Sequence, residues 1–204
     1  MSAPGTTMNE NGVDCGPRRA GEESIFEGRK SMDLFEAIEA RRSIRRFDPT
    51  AEVSPETVER LLKAAIMAPN GGNRQPWHFY VVRDAKLREG LTAAALGQGY
   101  ISQAPVAIVV CADADKSGER YGQRGRELYC IQDTAAAVEN ILLAAVALGL
   151  GSCWMGAFDE GEAARVLGLP ANHRPVAILP IGKPAEAPGR RPRQAMGEVV
   201  TWLE

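Results

Sequence analysis

Histidine is scarce in this chain: the 204 residues contain only His78 and His173. Cysteine is nearly as rare, and Cys15, Cys111, Cys130 and Cys153 stand far apart with no Cys-x-x-Cys pair among them. A structural zinc site, an iron–sulfur cluster and a disulfide framework all need clustered ligands or paired spacings, so none finds support. Uninterrupted apolar runs are missing too. None reaches the roughly 18–20 residues of a membrane span, and the first 30 residues lack the apolar stretch of a secretory signal. Neither charge sign is in excess: Lys and Arg total 24 against 26 for Asp and Glu, a net charge of −2. That balance gives no reason to expect nucleic acid or an anionic membrane as partner, and a cytoplasmic location is the default. A Rossmann fingerprint is absent as well, since Gly97-Gln98-Gly99 lacks the third glycine and does not follow a strand.

What is present is enough chain for one domain with one core, burying about 70% of its unfolded surface. Residues 1–30 mix Gly, Pro, Ser, Asn and charges without apolar periodicity, which predicts a disordered extension ahead of a domain over 31–204. Asp33 with Glu36 forms a capping-box pattern, and Leu34, Phe35 and Ile38 then share one helix face. Ser54-Pro55 starts the clearest amphipathic helix, carried by Val58, Leu61, Leu62, Ala65 and Ile66 and stopped by Pro69. Strands are predicted over 78–82, 105–111, 174–181 and 199–203, and shorter helices after Asp84 and Asp159. Residues 127–150 predict the longest helix, apolar around much of its circumference and so either central or packed on a second copy. Residues 112–127, with Asp113, Arg120, Tyr121, Arg124 and Arg126, read as a polar connection, either plain or a substrate lid. The fold class is α+β with an α/β-like alternation.

Three stretches carry chemistry. Arg41-Arg42-Ser43-Ile44-Arg45-Arg46-Phe47 clusters guanidinium forks that suit an oxyanion such as phosphate. Ala68-Pro69-Asn70-Gly71-Gly72-Asn73-Arg74-Gln75-Pro76-Trp77 and Gly149-Leu150-Gly151-Ser152-Cys153-Trp154-Met155-Gly156 offer small or amide-bearing residues that let backbone approach a flat heteroaromatic ring. A phosphate bearing a ring is a nucleotide-like ligand. Gly149 itself reads first as a helix C-cap.

With Asp133 to Asn140 leading into the stretch at 148–156, and with Leu179-Pro180-Ile181-Gly182-Lys183-Pro184, these motifs in this order resemble the nitroreductase family of flavin mononucleotide (FMN) enzymes, from about Leu34 to Val200. The resemblance implies a mixed, mainly antiparallel sheet flanked by helices, a long central helix, and a C-terminal strand exchanged with a partner subunit in a homodimer. It also implies FMN at the subunit interface. Arg41, Arg42, Ser43 and Arg45 would contact its phosphate and ring edge, and Arg191 and Arg193 would close over the phosphate. Pro69, Asn70, Gly71, Asn73 and Gln75 would lie by the ring, reaching it from the partner subunit. Many relatives carry Ser where this chain has Asn70. Met155 and Gly156 would contribute main-chain amides. Arg46 reads instead as a surface ion-pair residue, Trp77 as a core or interface anchor, and Cys153 as a small buried residue. The implied reaction is ping-pong: NADH or NADPH passes a hydride to the flavin and leaves, and a nitroaromatic, quinone or related small-molecule acceptor takes its place. No side-chain acid or base is required. Alternatives are a flavin-fragmenting or dehalogenating member of the family, or a protein that stores flavin without turnover.

Overall fold

The computed structural model describes residues 32–204; the expected extension over 1–30 lies outside the described residues. Local sequence rules account for most helix starts. Asp33 accepts a hydrogen bond from the Phe35 amide (2.8 Å) and Glu36 one from the Asp33 amide (3.1 Å), a complete capping box for α1, Leu34–Ala40. Ser54 caps α2, Pro55–Ile66, through the Thr57 amide, with Pro55 in the first turn. A short 3-10 turn, Gly71–Asn73, leads to β1, Trp77–Val82. Asp84 caps α3, Ala85–Ala94, and α4, Tyr100–Gln103, precedes β2, Val106–Asp113.

Residues 113–129 correct the expectation of a polar connection. Asp113 caps α5, Ala114–Arg124, and a π-helical turn, Gly125–Tyr129, joins it to α6, Cys130–Ala147. Gly118 and Gly122 hide this helix from a propensity reading; Gly122 sits at φ 55°, ψ −138°, a bend inside α5 that a side chain would resist. The helix α6 ends in a Schellman arrangement, the Leu150 amide donating to the Ala145 carbonyl (2.8 Å) and Gly149 at φ 74°. After β3, Gly151–Ser152, come α7, Glu160–Leu167, and β4, His173–Gly182. The expected last strand is replaced by a short helix α8, Met196–Val199, followed by residues 200–204 without regular structure. An edge strand needs a neighbour to pair with, and among the described residues, residues 199–203 have none.

The four strands form one antiparallel sheet in the order β1-β2-β4-β3. Because side chains alternate across a strand, β2 feeds two cores. Val106, Ile108 and Val110 face α2 and α6 with Leu61, Val138, Ile141, Leu179 and Ile181. Ala107, Val109 and Cys111 face the opposite layer with Leu91, Ile101, Ala163 and Ile178. Helices thus cover both faces, and Trp77 packs against the first core. The continuous helical stretch Ala114–Ala147 is apolar enough over 18 residues to match a membrane span by length and composition. In this fold α6 buries Ala137, Val138, Ile141, Leu142 and Ala145 against the sheet and α2, as a core helix does. On α1 the outcome is the reverse: Leu34, Phe35 and Ile38 are exposed, Phe35 at 73%, and only Ala37 is buried.

Candidate functional site

The arginine-rich segment runs beside β3 in a narrow fit. The Ile44 amide donates to the Ser152 carbonyl (2.9 Å), Ser43 bridges Ser152 in parallel, and a side chain on Gly151 would meet Ile44 at 2.9 Å. Glycine is therefore required at 151 by close approach. On the other flank, residues 184–186 pair with the same segment. The Ala185 amide donates to the Arg46 carbonyl (2.9 Å), and the Glu186 carboxylate accepts from the amides of Arg45 (2.5 Å) and Arg46 (3.2 Å). That pairing leads the chain after Lys183 back over the arginines.

The result is a cleft of about 460 Å³ lined by Arg41, Arg42, Ser43 and Arg45 together with Pro188, Gly189, Arg190, Arg191 and Arg193. The first and last predicted clusters, about 150 positions apart in sequence, are thus brought together. Two carboxylates also line it, and Glu139 faces Arg41 at 3.9 Å. The Arg42 Nη1 donates to the carbonyls of Glu39 (2.5 Å) and Arg41 (2.9 Å), while its buried Nε has no partner among the described residues. A buried donor left unpaired costs about 1–3 kcal/mol. An anion with several acceptor oxygens would remove that cost and offset the crowded positive charge. Arg193 donates to the carbonyls of Arg191 (3.2 Å) and Pro192 (3.3 Å) and so folds toward its own backbone. Arg46 is exposed and forms no ion pair among the described residues, so the expected pairing is corrected: Glu186, the nearby acid, is committed to main-chain amides.

None of Pro69, Asn70, Gly71, Asn73 or Gln75 lines this cleft. These residues form a loop whose polar groups satisfy one another. The Asn70 Oδ1 accepts from the Gln75 amide (2.7 Å), the Asn70 Nδ2 donates to the Ala68 carbonyl (3.3 Å), and the Gln75 Nε2 donates to the Asn73 Oδ1 (3.3 Å). Gly72, Asn73 and Gln75 all take positive φ, at 56°, 54° and 51°. Asparagine tolerates that region; glutamine at such an angle marks stored strain in a loop held firmly by its surroundings. The hold comes from Asp133 of α6, whose Oδ1 accepts from the Gly71 amide (3.1 Å), and from Arg74, which donates to the Lys116 carbonyl (3.0 Å) and pairs with Glu119. Asp133 is buried, its Oδ2 has no partner among the described residues, and burial raises its pKa.

Met155 and Gly156 also stand outside the cleft, and the Met155 main chain is occupied within the fold. The Met155 amide and carbonyl are both engaged with Ile178, at 3.0 Å each. Gly156 is exposed, and a side chain there would meet nothing within 4 Å. Cys153 is buried, and burial raises its pKa, with Arg45 and the Tyr100 and Ser43 hydroxyls opposing. It is a packed thiol, not a nucleophile. Cys111 is buried in the sheet and pushed up to about 12. Sequence reasoning missed Glu139, Glu186 and Asp133 as organisers of the site. Each is a lone acid whose partner lies far away in sequence, a pairing no local pattern announces.

The Nitroreductase family profile matches residues 38–102 and 93–183 of this chain. A protein of Methanothermobacter thermautotrophicus, provisionally named NADH dehydrogenase/NAD(P)H nitroreductase, is 39% identical over 164 residues, covering 78% of this chain and 82% of the relative. An NADH dehydrogenase of Thermus thermophilus is 32% identical and covers 84% of this chain and 96% of its own length. Among solved structures, a nitroreductase-type protein of Exiguobacterium sibiricum in complex with FMN superposes with a TM-score of 0.76 at 21% identity, over 86% of this chain and 99% of the other. At that identity the likeness speaks for the fold.

Proposed function

Since the chain belongs to the nitroreductase family, we propose that it is an FMN-dependent oxidoreductase that uses NADH or NADPH to reduce nitroaromatics, quinones or related acceptors. The observation that carries the reading is the arginine cleft, with its buried, unpartnered Arg42 Nε and converging Arg41, Arg45, Arg191 and Arg193. That donor set fits a phosphate, which accepts several charge-assisted hydrogen bonds at once. When bound, FMN supplies the hydride chemistry between nicotinamide and acceptor. The chain's own residues bind and orient. Arg41, Arg42 and Arg45 hold the phosphate, with Arg191 and Arg193 closing above it, and Ser43 contacts the ring edge. The preformed loop at 69–75 presents backbone and amide edges from the partner of a homodimer, and Gly156 offers an amide. The apolar face of α1 with Leu34, Phe35 and Ile38, and the exposed Met196, Val199, Trp202 and Leu203, support such a dimer, because surfaces of this kind are usually covered.

The test is the visible spectrum of the purified protein, followed by denaturation and identification of the released flavin. FMN at about one per chain, bleached rapidly by NADH or NADPH under anaerobic conditions, is the expected result. A colourless protein that takes up no added FMN overturns the assignment of the cleft. A yellow protein that no nicotinamide bleaches makes it a flavin-holding protein without turnover.

A further inference from the structure

The helix α5 does more than replace an expected loop: it lies on the turn at Gly71–Gly72. A side chain on Gly72 would fall 2.5 Å from the Tyr121 hydroxyl and 3.1 Å from the Arg120 Nη1, and one on Gly71 would meet Tyr121 at 3.3 Å and Tyr129 at 3.7 Å. The two phenols pack edge to face on each other, centroids 5.1 Å apart. Each carries a guanidinium. Arg120 sits 5.6 Å over the Tyr121 ring, and Arg124 sits 5.3 Å over the Tyr129 ring while its Nε donates to the Tyr129 hydroxyl (3.0 Å). The glycine bend at Gly122 separates Tyr121 from Arg124, and the π-helical turn over Gly125–Tyr129 carries Tyr129. Single π-helical turns inside helices are frequent at functional sites.

Two neighbouring arginines are paired with carboxylates and these two are not. Arg74 pairs with Glu119 and Arg126 with Asp115, while the Gln123 amide engages Glu127. Among the described residues neither Arg120 nor Arg124 meets a carboxylate. Both are exposed, so each stack holds a guanidinium plane in place while N–H groups remain available to a ligand. Two like charges beside an aromatic pair and a glycine turn form a surface for a flat, negatively charged molecule.

We infer that Arg120 and Arg124, set on Tyr121 and Tyr129, recognise the anionic group of a planar aromatic substrate at this site. The inference rests on the reading that the loop at 69–75 faces the bound cofactor. The anion is either a carboxylate or similar group on the electron acceptor, or the extra ribose phosphate that separates NADPH from NADH.

The experiment compares the FMN-loaded full chain with the Arg120→Gln/Arg124→Gln double variant on 4-nitrobenzoate against neutral 4-nitrobenzamide, and on NADPH against NADH, at low ionic strength. Loss of two charge-assisted contacts lowers the relevant ratio of kcat/KM values by about tenfold or more. A fall in the first ratio places the anion on the acceptor, and a fall in the second places it on the nicotinamide. Arg126→Gln, whose partner Asp115 already neutralises it, leaves both ratios in place, and Arg120→Lys/Arg124→Lys restores part of the loss. Both ratios unchanged within about twofold in the double Gln variant overturn the inference while leaving the oxidoreductase reading intact. Titration calorimetry with 4-nitrobenzoate separates the two failures. If the protein proves flavin-free and inactive, binding that the double variant weakens keeps the anion site and sinks the oxidoreductase. Binding that is absent or indifferent to the arginines removes the anion site.

Discussion

The arginine cleft and the loop at 69–75 solve opposite problems. In the cleft, donors exceed acceptors: Arg42 keeps a buried Nε without a partner, and Arg41 reaches its nearest carboxylate only at 3.9 Å. In the loop nearly every polar group has an internal partner, and the backbone is held at positive φ in three of its residues. An unsatisfied cluster is a place for something to arrive. A satisfied and strained loop is a fixed surface against which something is placed. On the proposed reading, affinity for a ligand resides in the cleft and shape in the loop, so damage to the two should fail differently.

The largest effect is expected in the cleft. Arg42→Gln removes a charge-assisted donor set worth about 1.5–3 kcal/mol per hydrogen bond, which corresponds to roughly tenfold to a hundredfold weaker FMN binding. Arg41→Gln acts in the same direction, less strongly, because Glu139 already offsets part of its charge. Equilibrium titration of the apoprotein, followed by flavin fluorescence, measures both. Thermal stability without FMN should hold or rise, since the substitutions relieve like-charge crowding. If the Arg42 variant binds FMN as tightly as the parent, the cleft is not the anion site and the comparison collapses.

The two regions were also legible to different degrees. Guanidinium clustering is a local pattern, so Arg41, Arg42, Ser43 and Arg45 could be read directly, and one cleft gathers them with Arg191 and Arg193. Their organisers could not be read. Glu186 reaches back 141 positions to the Arg45 amide, and Asp133 reaches 62 to Gly71. The same divide runs through the fold. Caps at Asp33, Ser54, Asp84 and Asp159 and the continuous apolar run of β2 are local and legible. The helix α5 was not, because Gly118 and Gly122 lower its intrinsic propensity and packing overrides them: a side chain on Gly118 would meet Arg126 at 2.6 Å. Residues 199–203 show the converse. Their β-branched and aromatic character speaks for a strand, yet strand structure needs a neighbour that the described residues do not supply.

A smaller effect is expected in the loop, and of another kind. Gly72→Ala puts a Cβ at φ 56°, 2.5 Å from the Tyr121 hydroxyl. Left-handed strain in a non-glycine residue costs about 1–2 kcal/mol, or a drop in Tm of about 2–8 °C in a domain of this size. Turnover should suffer more than FMN affinity, because the phosphate contacts in the cleft are untouched. Differential scanning calorimetry beside a flavin titration decides the matter. A large loss of FMN affinity with Tm unchanged would show that the loop, too, is a source of binding energy.

The smallest effect comes from the strand that the loop feeds. On β1, His78 stacks on His173 at 4.4 Å, and Tyr80 is hydrogen-bonded to the His173 Nδ1 at 2.6 Å. Burial first, then the like charge of His173, lowers the pKa of His78 below its ordinary 6.5; Asp113 opposes this and Lys116 reinforces it. The unfolded chain therefore binds the His78 proton more readily than the folded one does. Stability is fully present above pH 6.5 and declines as the pH falls toward the lowered folded value, below which both states carry the proton and the decline stops. The ring is exposed, so solvent screens the charge and the loss is small. His78→Gln should flatten the Tm profile of the apoprotein through this range without changing FMN affinity at neutral pH. If the substitution instead weakens FMN binding while the Tm profile keeps its slope, the start of β1 transmits to the ligand rather than merely holding the loop, and the division between a binding cleft and a fixed surface would have to be redrawn at Trp77.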